Sequence, residues 1–111
     1  MTNTEINKRI AELLGYTIKV QYVSGEIMTT CRPPKFLDYC EDWSQLMPLC
    51  IERGISLYRP KHINYDVWIA SKYDSSKQQV HEDYLTNPKI ALCLCLIKVL
   101  ESENTEKNND N

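Results

Sequence analysis

The amino-acid sequence predicts one α+β domain, an α-β-sandwich in which three helices pack on both faces of a small, mainly antiparallel sheet. Three segments combine a helical spacing of apolar residues with capping residues, and the shorter segments between them alternate apolar and polar residues. The 111 residues fit a single domain. We assign residues 1–101 to this domain and predict that the polar residues 102–111 form a disordered tail.

The first helix is predicted to begin after Thr2 and to end at Gly15. Thr2 and Glu5 have the spacing of a capping box, in which each side chain bonds a free amide at the helix start. Gly15 can take the left-handed conformation that often ends a helix. One side of the helix is apolar at helical spacing, with Ile6, Ile10, Leu13 and Leu14.

Two strands and a loop should follow this helix. Residues 16–23 alternate apolar and polar side chains, which predicts a strand with one buried face. A Ser-Gly pair then indicates a turn, and residues 26–30 are predicted to return as a short partner strand. Two consecutive prolines lack amide donors, so we expect residues 31–41 to form an irregular surface loop containing Tyr39.

The second helix is predicted over residues 42–54, with Asp42 or Ser44 as its N-cap. Pro48 is compatible with the first turns of a helix, where amides have no partner within the helix. With Asp42 as the cap, we expect a kink at Pro48. The stripe expected to face the core consists of Trp43, Leu46, Met47, Cys50 and Ile51.

Strands around a basic turn are predicted next. Residues 55–58 alternate in polarity, residues 59–62 are the basic turn, residues 72–77 are a polar connection, and residues 79–82 are a last short strand. In the strand that ends at Ala70, we expect Tyr65, Val67 and Ile69 on one face and Asp66, Trp68 and Ala70 on the other.

The third helix, over residues 87–101, is predicted to be the centre of the core. Asn87 is a good N-cap, and Pro88 suits the first helical position. Ten of the twelve residues 89–100 are apolar, so most of the helix circumference should be buried. The apolar stretch is too short to span a bilayer, which needs about 20 residues.

Composition narrows the functional classes. The five cysteines lack the spacing of a disulfide framework or a zinc site, and Cys93 and Cys95 point in different directions on a helix. We therefore expect reduced, buried thiols. No N-terminal signal pattern is present, which favours a cytoplasmic protein without a membrane segment. The net charge of −2 gives no strong attraction for nucleic acid.

No pattern in the sequence is typical of catalysis or of cofactor binding. The two histidines have no neighbouring nucleophile signature, and the three glycines form no phosphate-binding loop. The acids of residues 38–42 could act as an acid–base pair, but acids before a helix also suit its dipole. We predict no enzyme activity, cofactor or metal.

Aromatic and basic residues provide the candidate binding surface. Tyrosine is enriched at protein interfaces because it offers a large amphipathic contact area. We predict that the following residues contribute to a partner-binding surface: Tyr39, Tyr58, Arg59, Lys61, His62, Lys72 and Tyr73. Basic residues interleaved with aromatics at 58–72 also suit single-stranded nucleic acid, which is the less favoured alternative.

Four segments resemble the phage ABA-sandwich domain family of small phage and prophage proteins. They are INKRIAELLGY at 6–16, DWSQLMPL at 42–49, VWIA at 67–70 and NPKIALCLC at 87–95. The resemblance covers about residues 3–100. Family members carry a Tyr-Ser-Thr-Asp-like segment before the second helix, where this chain matches only at Asp42. The resemblance implies helices on both faces of a small antiparallel sheet, and it brings no catalytic residues.

From these observations we expect a non-enzymatic phage or mobile-element accessory protein that binds a host macromolecule. An inhibitor of a host defence complex, such as an anti-CRISPR protein, is the most specific form of this expectation. The alternatives are a nucleic-acid- or nucleotide-binding protein and, less favoured, a small enzyme. A protein partner is expected, and a homodimer is also compatible with the exposed tyrosines.

Overall fold

The computed structural model describes residues 2–21, 23–30, 34–61, 67–74 and 79–109 of the chain. The described residues form these elements in order: α1 Asn3–Leu13, β1 Ile18–Val20, β2 Ile27–Thr29, β3 Phe36–Leu37, α2 Trp43–Glu52, β4 Ser56–Tyr58, β5 Trp68–Asp74, β6 Gln79–Leu85 and α3 Pro88–Asn109. All strand pairs are antiparallel. The predicted α+β class is confirmed.

The strands form two sheets of three: sheet A, in the order β1-β2-β3, and sheet B, in the order β4-β5-β6. We had expected the strands to share one small sheet. Within the described ranges, every strand pairs only with its neighbours in the sequence. Because α2 lies between β3 and β4 in the chain, local pairing leaves three strands on each side of it.

Helix α3 is the centre of the core, as the sequence predicts. Asn87 Oδ1 accepts hydrogen bonds from the amides of Lys89 and Ile90 at 3.0 and 3.3 Å, so the predicted N-cap is confirmed. α1, α2 and sheet B all pack against α3. The α3 residues buried in the shared core are Ala91, Leu92, Cys93, Cys95, Leu96, Ile97, Val99 and Leu100.

Helix α1 begins and ends where its sequence indicates. Thr2 Oγ1 accepts the amide of Glu5 at 3.2 Å, and Gly15 has a φ of +90° just after the helix. The β1–β2 hairpin lies close against this helix at Gly25, whose carbonyl accepts Thr4 Oγ1 at 3.0 Å. A Cβ atom on Gly25 would stand 2.6 Å from Thr4 Oγ1, so the close approach requires glycine.

The predicted loop at 31–41 contains the short strand β3, which pairs with β2 through Leu37 opposite Ile27. Leu37 is buried, and so are the turn residues Tyr39 and Cys40. The expectation of a surface loop is therefore wrong for Leu37, Tyr39 and Cys40, whereas Phe36 is exposed; residues 31–33 lie outside the described residues. The sequence pattern does not predict this burial, because the two residues of β3 are too few to show alternation and follow two prolines. The burial depends on pairing with β2.

Helix α2 is capped by Asp42, whose Oδ1 accepts the Ser44 amide at 2.9 Å, and Pro48 lies inside the helix. Only part of its predicted core stripe is buried. Leu46 and Cys50 are fully buried, whereas Trp43 is 38% exposed and Ile51 is 69% exposed. Of the other helices, α2 packs mainly against α3, so a stripe of five residues is wider than the face that it covers.

Helix α3 extends past the domain boundary predicted at residue 101 and runs to Asn109. Its polar part makes contacts with the rest of the chain. Asn104 Nδ2 donates to the carbonyl of Leu13 at 3.3 Å, and Glu103 Oε2 lies 3.5 Å from Arg53 Nε. These contacts stabilise a helical segment where composition alone indicated disorder; residues 110–111 lie outside the described residues.

Sheet B is more extensive than predicted. β5 continues through Asp74 into the expected polar connection, and β6 reaches Leu85. Tyr65 and Asp66, which were assigned to the two faces of this strand, lie outside the described residues. Residues 75–78 of the predicted polar connection also lie outside them. In the part of the chain that the structure describes, no helix has the length and apolar content needed to cross a membrane.

Candidate partner-binding face

The side of sheet B that faces away from α3 is the candidate binding site. Side chains alternate between the two faces of a strand, and directly paired residues share a face. Ala70 belongs to the core cluster beneath α3, so its neighbours Ile69 and Ser71 face the other way. The pairing register and the alternation along β5 then place the following residues on the outer face: Ser56, Tyr58, Ile69, Ser71 and Tyr73.

Two tyrosines dominate this outer face. Tyr58 is 46% exposed and Tyr73 is 62% exposed, whereas Ile69, which pairs directly with Tyr58, is buried. The outer face therefore presents two exposed amphipathic rings, one beside the buried Ile69 and one four residues further along β5. Tyrosine is enriched at protein interfaces.

The predicted basic residues do not all join this face. Arg59 and Lys61 are exposed just after β4, so they lie at one end of the outer face. Lys72 lies on the same face of β5 as Ala70 and pairs with His81, which places it on the α3 side of the sheet. His62 lies outside the described residues. The register therefore places Arg59 and Lys61 at the Tyr58 end of the outer face. Tyr73 lies four residues beyond Ile69 along β5, toward the opposite end, and Lys72 lies on the other side of the sheet.

Tyr39, which was also predicted as a binding residue, does not lie on this outer face. It is only 3% exposed, and its carbonyl accepts a hydrogen bond from Cys93 Sγ of α3 at 3.4 Å. Burial, together with the nearby phenol of Tyr16, raises the pKa of Tyr39 to about 12. Tyr39 is thus a core residue, because the turn at 38–41 folds inward onto α3.

The acids of residues 38–42 make structural contacts. Asp38 Oδ1 accepts Asn7 Nδ2 at 3.1 Å, and the Asp38 amide donates to Gln45 Oε1 at 3.0 Å. Asp42 caps α2, and its hydrogen bonds from Ser44 and Gln45 lower the pKa of its carboxyl. These bonds account for both aspartates without any reacting partner.

The cysteine thiols and the potential metal ligands are the remaining groups of candidate side chains. The free thiols Cys40, Cys50, Cys93 and Cys95 are buried, as predicted, whereas Cys31 lies outside the described residues. Burial raises the pKa of Cys50 to about 11. No group of three His, Cys, Asp or Glu side chains within the described ranges is placed to hold a metal ion.

Sequence reasoning did not identify Asn7 as a residue of interest. Asn7 is buried on α1, where it donates to Asp38 and its Oδ1 accepts the amide of Cys40 at 3.1 Å. It positions the turn that leads into α2. An asparagine within a helix gives no local signal for such a role, because both partners are more than thirty residues away in the sequence.

Comparisons with known proteins give no further assignment. No protein-family model matches this chain. A search of curated proteins finds no significant match.

Proposed function

We propose that this chain is a non-enzymatic accessory protein, of the phage or mobile-element type, that binds a host protein through the outer face of sheet B. The observation that carries the proposal is the exposure of Tyr58 and Tyr73 on the same face of sheet B. Two exposed aromatic rings have an unfavourable contact with water that a protein partner would remove. Binding would block a surface of the partner without turnover.

The most specific form of this proposal is an inhibitor of a host defence complex, such as an anti-CRISPR protein acting in the host cytoplasm. The phage context is part of the proposal and is inferred from the resemblance of four segments alone, since no protein-family model matches this chain. A homodimer through the same outer face would make the tyrosines unavailable to a host partner. Size-exclusion chromatography with light scattering separates these two uses of the face.

The second candidate is a nucleic-acid-binding protein, supported by the exposed Arg59 and Lys61 next to Tyr58. Two adjacent cations and an aromatic ring can contact a single strand. The position of Lys72 on the α3 side of β5 counts against this candidate, as does the net charge of −2. We therefore favour the protein partner.

Affinity capture from host lysate, with and without nuclease, tests the proposal. A protein that is retained after nuclease treatment by the wild-type chain, and lost by the double variant Tyr58→Ala/Tyr73→Ala, is the expected result. Phe36→Ala is the matched control, because Phe36 is an exposed aromatic residue of sheet A. Capture that disappears with nuclease, with affinity falling steeply with salt, would instead support the nucleic-acid candidate.

A further inference from the structure

A cavity of about 460 Å³ lies between the end of α1, strand β3 and the first turns of α2. Its volume is in the range of small-molecule sites in proteins. About half of the wall is apolar, and this half comes from three parts of the chain: Leu14, Leu37, Pro48 and Leu49. None of the residues of the outer face of sheet B lines it, so the cavity is separate from the proposed partner-binding face.

The acceptor groups in the cavity wall are already used within the protein. Asp42 Oδ1 accepts from the amide and the hydroxyl of Ser44 at 2.9 and 2.6 Å, and Asp42 Oδ2 accepts from Gln45 Nε2 at 3.2 Å. Gln45 Oε1 accepts the amide of Asp38 at 3.0 Å. The start of α2 also offsets the negative charge of Asp42, since a helix N-terminus carries a partial positive charge.

The donor groups in the wall are not used in this way. The ammonium of Lys35 and the hydroxyls of Tyr16 and Tyr39 have no side-chain hydrogen bond to any residue that the structure describes. Tyr39 is 3% exposed, but its hydroxyl is not among the buried side-chain polar atoms of the described residues that lack a partner, so this hydroxyl is accessible from the cavity. Burial raises the pKa of Tyr39 to about 12, so its hydroxyl remains a donor at neutral pH.

Three donors and an apolar wall define the ligand by its chemistry. We propose that this cavity binds a small monocarboxylate whose body is branched or aromatic, with Lys35 and the two tyrosine hydroxyls holding the carboxylate. The apolar residues of the wall would cover the body of the ligand. A dianion such as phosphate is disfavoured, because Lys35 supplies one positive charge while Asp42 lies in the same wall.

NMR titration of the full chain tests this site, with phenylacetate and 4-methylpentanoate as probes. Phenylacetamide tests the need for the charge, and acetate tests the need for the apolar body. We expect saturable shifts of the backbone amides of Lys35, Tyr39 and Ser44 with either acid probe. Phenylacetamide and acetate should bind at least about tenfold more weakly than phenylacetate, because phenylacetamide lacks the carboxylate charge and acetate lacks the apolar body.

Four variants separate binding from folding. Lys35→Gln and Tyr39→Phe keep the size of the side chain and should each weaken phenylacetate binding, by about tenfold for the lysine. Lys19→Gln and Tyr73→Phe change the same residue types outside the cavity and should leave the affinity unchanged. Equal affinities for phenylacetate and phenylacetamide, equal effects of Lys35→Gln and Lys19→Gln, or no saturable shift with either acid would each overturn the proposal.

Discussion

Asn7 on α1 donates a hydrogen bond to Asp38 Oδ1 at 3.1 Å and thereby joins the first helix to the turn that precedes α2. The same side chain accepts the buried amide of Cys40 at 3.1 Å. One amide group thus satisfies two polar groups from a segment that enters the core. This contact explains how a stretch with the composition of a loop is held against α1.

Asn7→Ala is expected to lower the free energy of unfolding by about 1–3 kcal/mol, because it leaves the buried Cys40 amide without its partner. Urea denaturation measures the change. Asn3→Ala is the control, since Asn3 is exposed and its side-chain bond to Glu41 is long, at 3.4 Å. A loss no greater than that of Asn3→Ala would contradict a structural role for Asn7.

Gly25→Ala and Gly54→Ala form a matched pair. Both glycines have similar positive φ angles, +72° and +70°, so each alanine has a conformational cost of about 1–2 kcal/mol. Only at Gly25 would the new Cβ meet Thr4 Oγ1, at 2.6 Å, whereas Gly54 has open space. Gly25→Ala should therefore be the more destabilising variant in urea. Equal losses would show that the hairpin can move away from α1 at no cost.

Asn104→Ala tests the polar extension of α3. Asn104 Nδ2 bonds the Leu13 carbonyl at the end of α1, so its loss should reduce stability by about 0.5–1.5 kcal/mol. Thr105→Ala is the control, because Thr105 Oγ1 bonds only the carbonyl of Glu101 within the same helix. Similar denaturation midpoints for wild type and Asn104→Ala would indicate that residues beyond 102 do not contribute to the fold.

Stability at alkaline pH should depend on Cys50. Burial raises its pKa from 9.0 to about 11, so the folded state favours the neutral thiol. A raised pKa contributes stability below the unfolded pKa of about 9, and this contribution is lost as pH rises toward 11. The free energy of unfolding should fall by about 2–3 kcal/mol across this window through this group.

Urea denaturation of Cys50→Ala between pH 8 and pH 11 measures this contribution. The variant is less stable at pH 8 because it loses a buried side chain, but its stability should fall less steeply with pH. Parallel curves for the variant and the wild type would contradict a buried, neutral Cys50 thiol.

Local signals predicted the helix starts and the central helix. Thr2 and Asn87 each cap a helix by accepting a backbone amide no more than three residues further along the chain. Such local roles can be predicted from the sequence. The burial of Tyr39 could not be predicted, because it depends on contact with Cys93 on a helix far along the chain. Trp43 was wrongly predicted to face the core. Periodicity identifies the apolar face of α2, but it does not show how much of that face the neighbouring helix α3 covers.

The candidate binding face was predicted in part. Tyr58 was expected at the end of a strand and Tyr73 in a polar connection, and both lie in strands and are exposed. Strand alternation through Ala70 would have placed Lys72 on the core side, but we expected β5 to end before it. The grouping on one face required the register between β4 and β5, which no local pattern specifies.

The central claim is that the outer face of sheet B binds a protein, and one binding measurement tests it most directly. The affinity of the captured partner is measured for wild type, Tyr58→Ala/Tyr73→Ala and Phe36→Ala at two salt concentrations. We predict that the double variant weakens binding at least about tenfold, that Phe36→Ala does not, and that salt has little effect. Wild-type affinity in the double variant would contradict the claim.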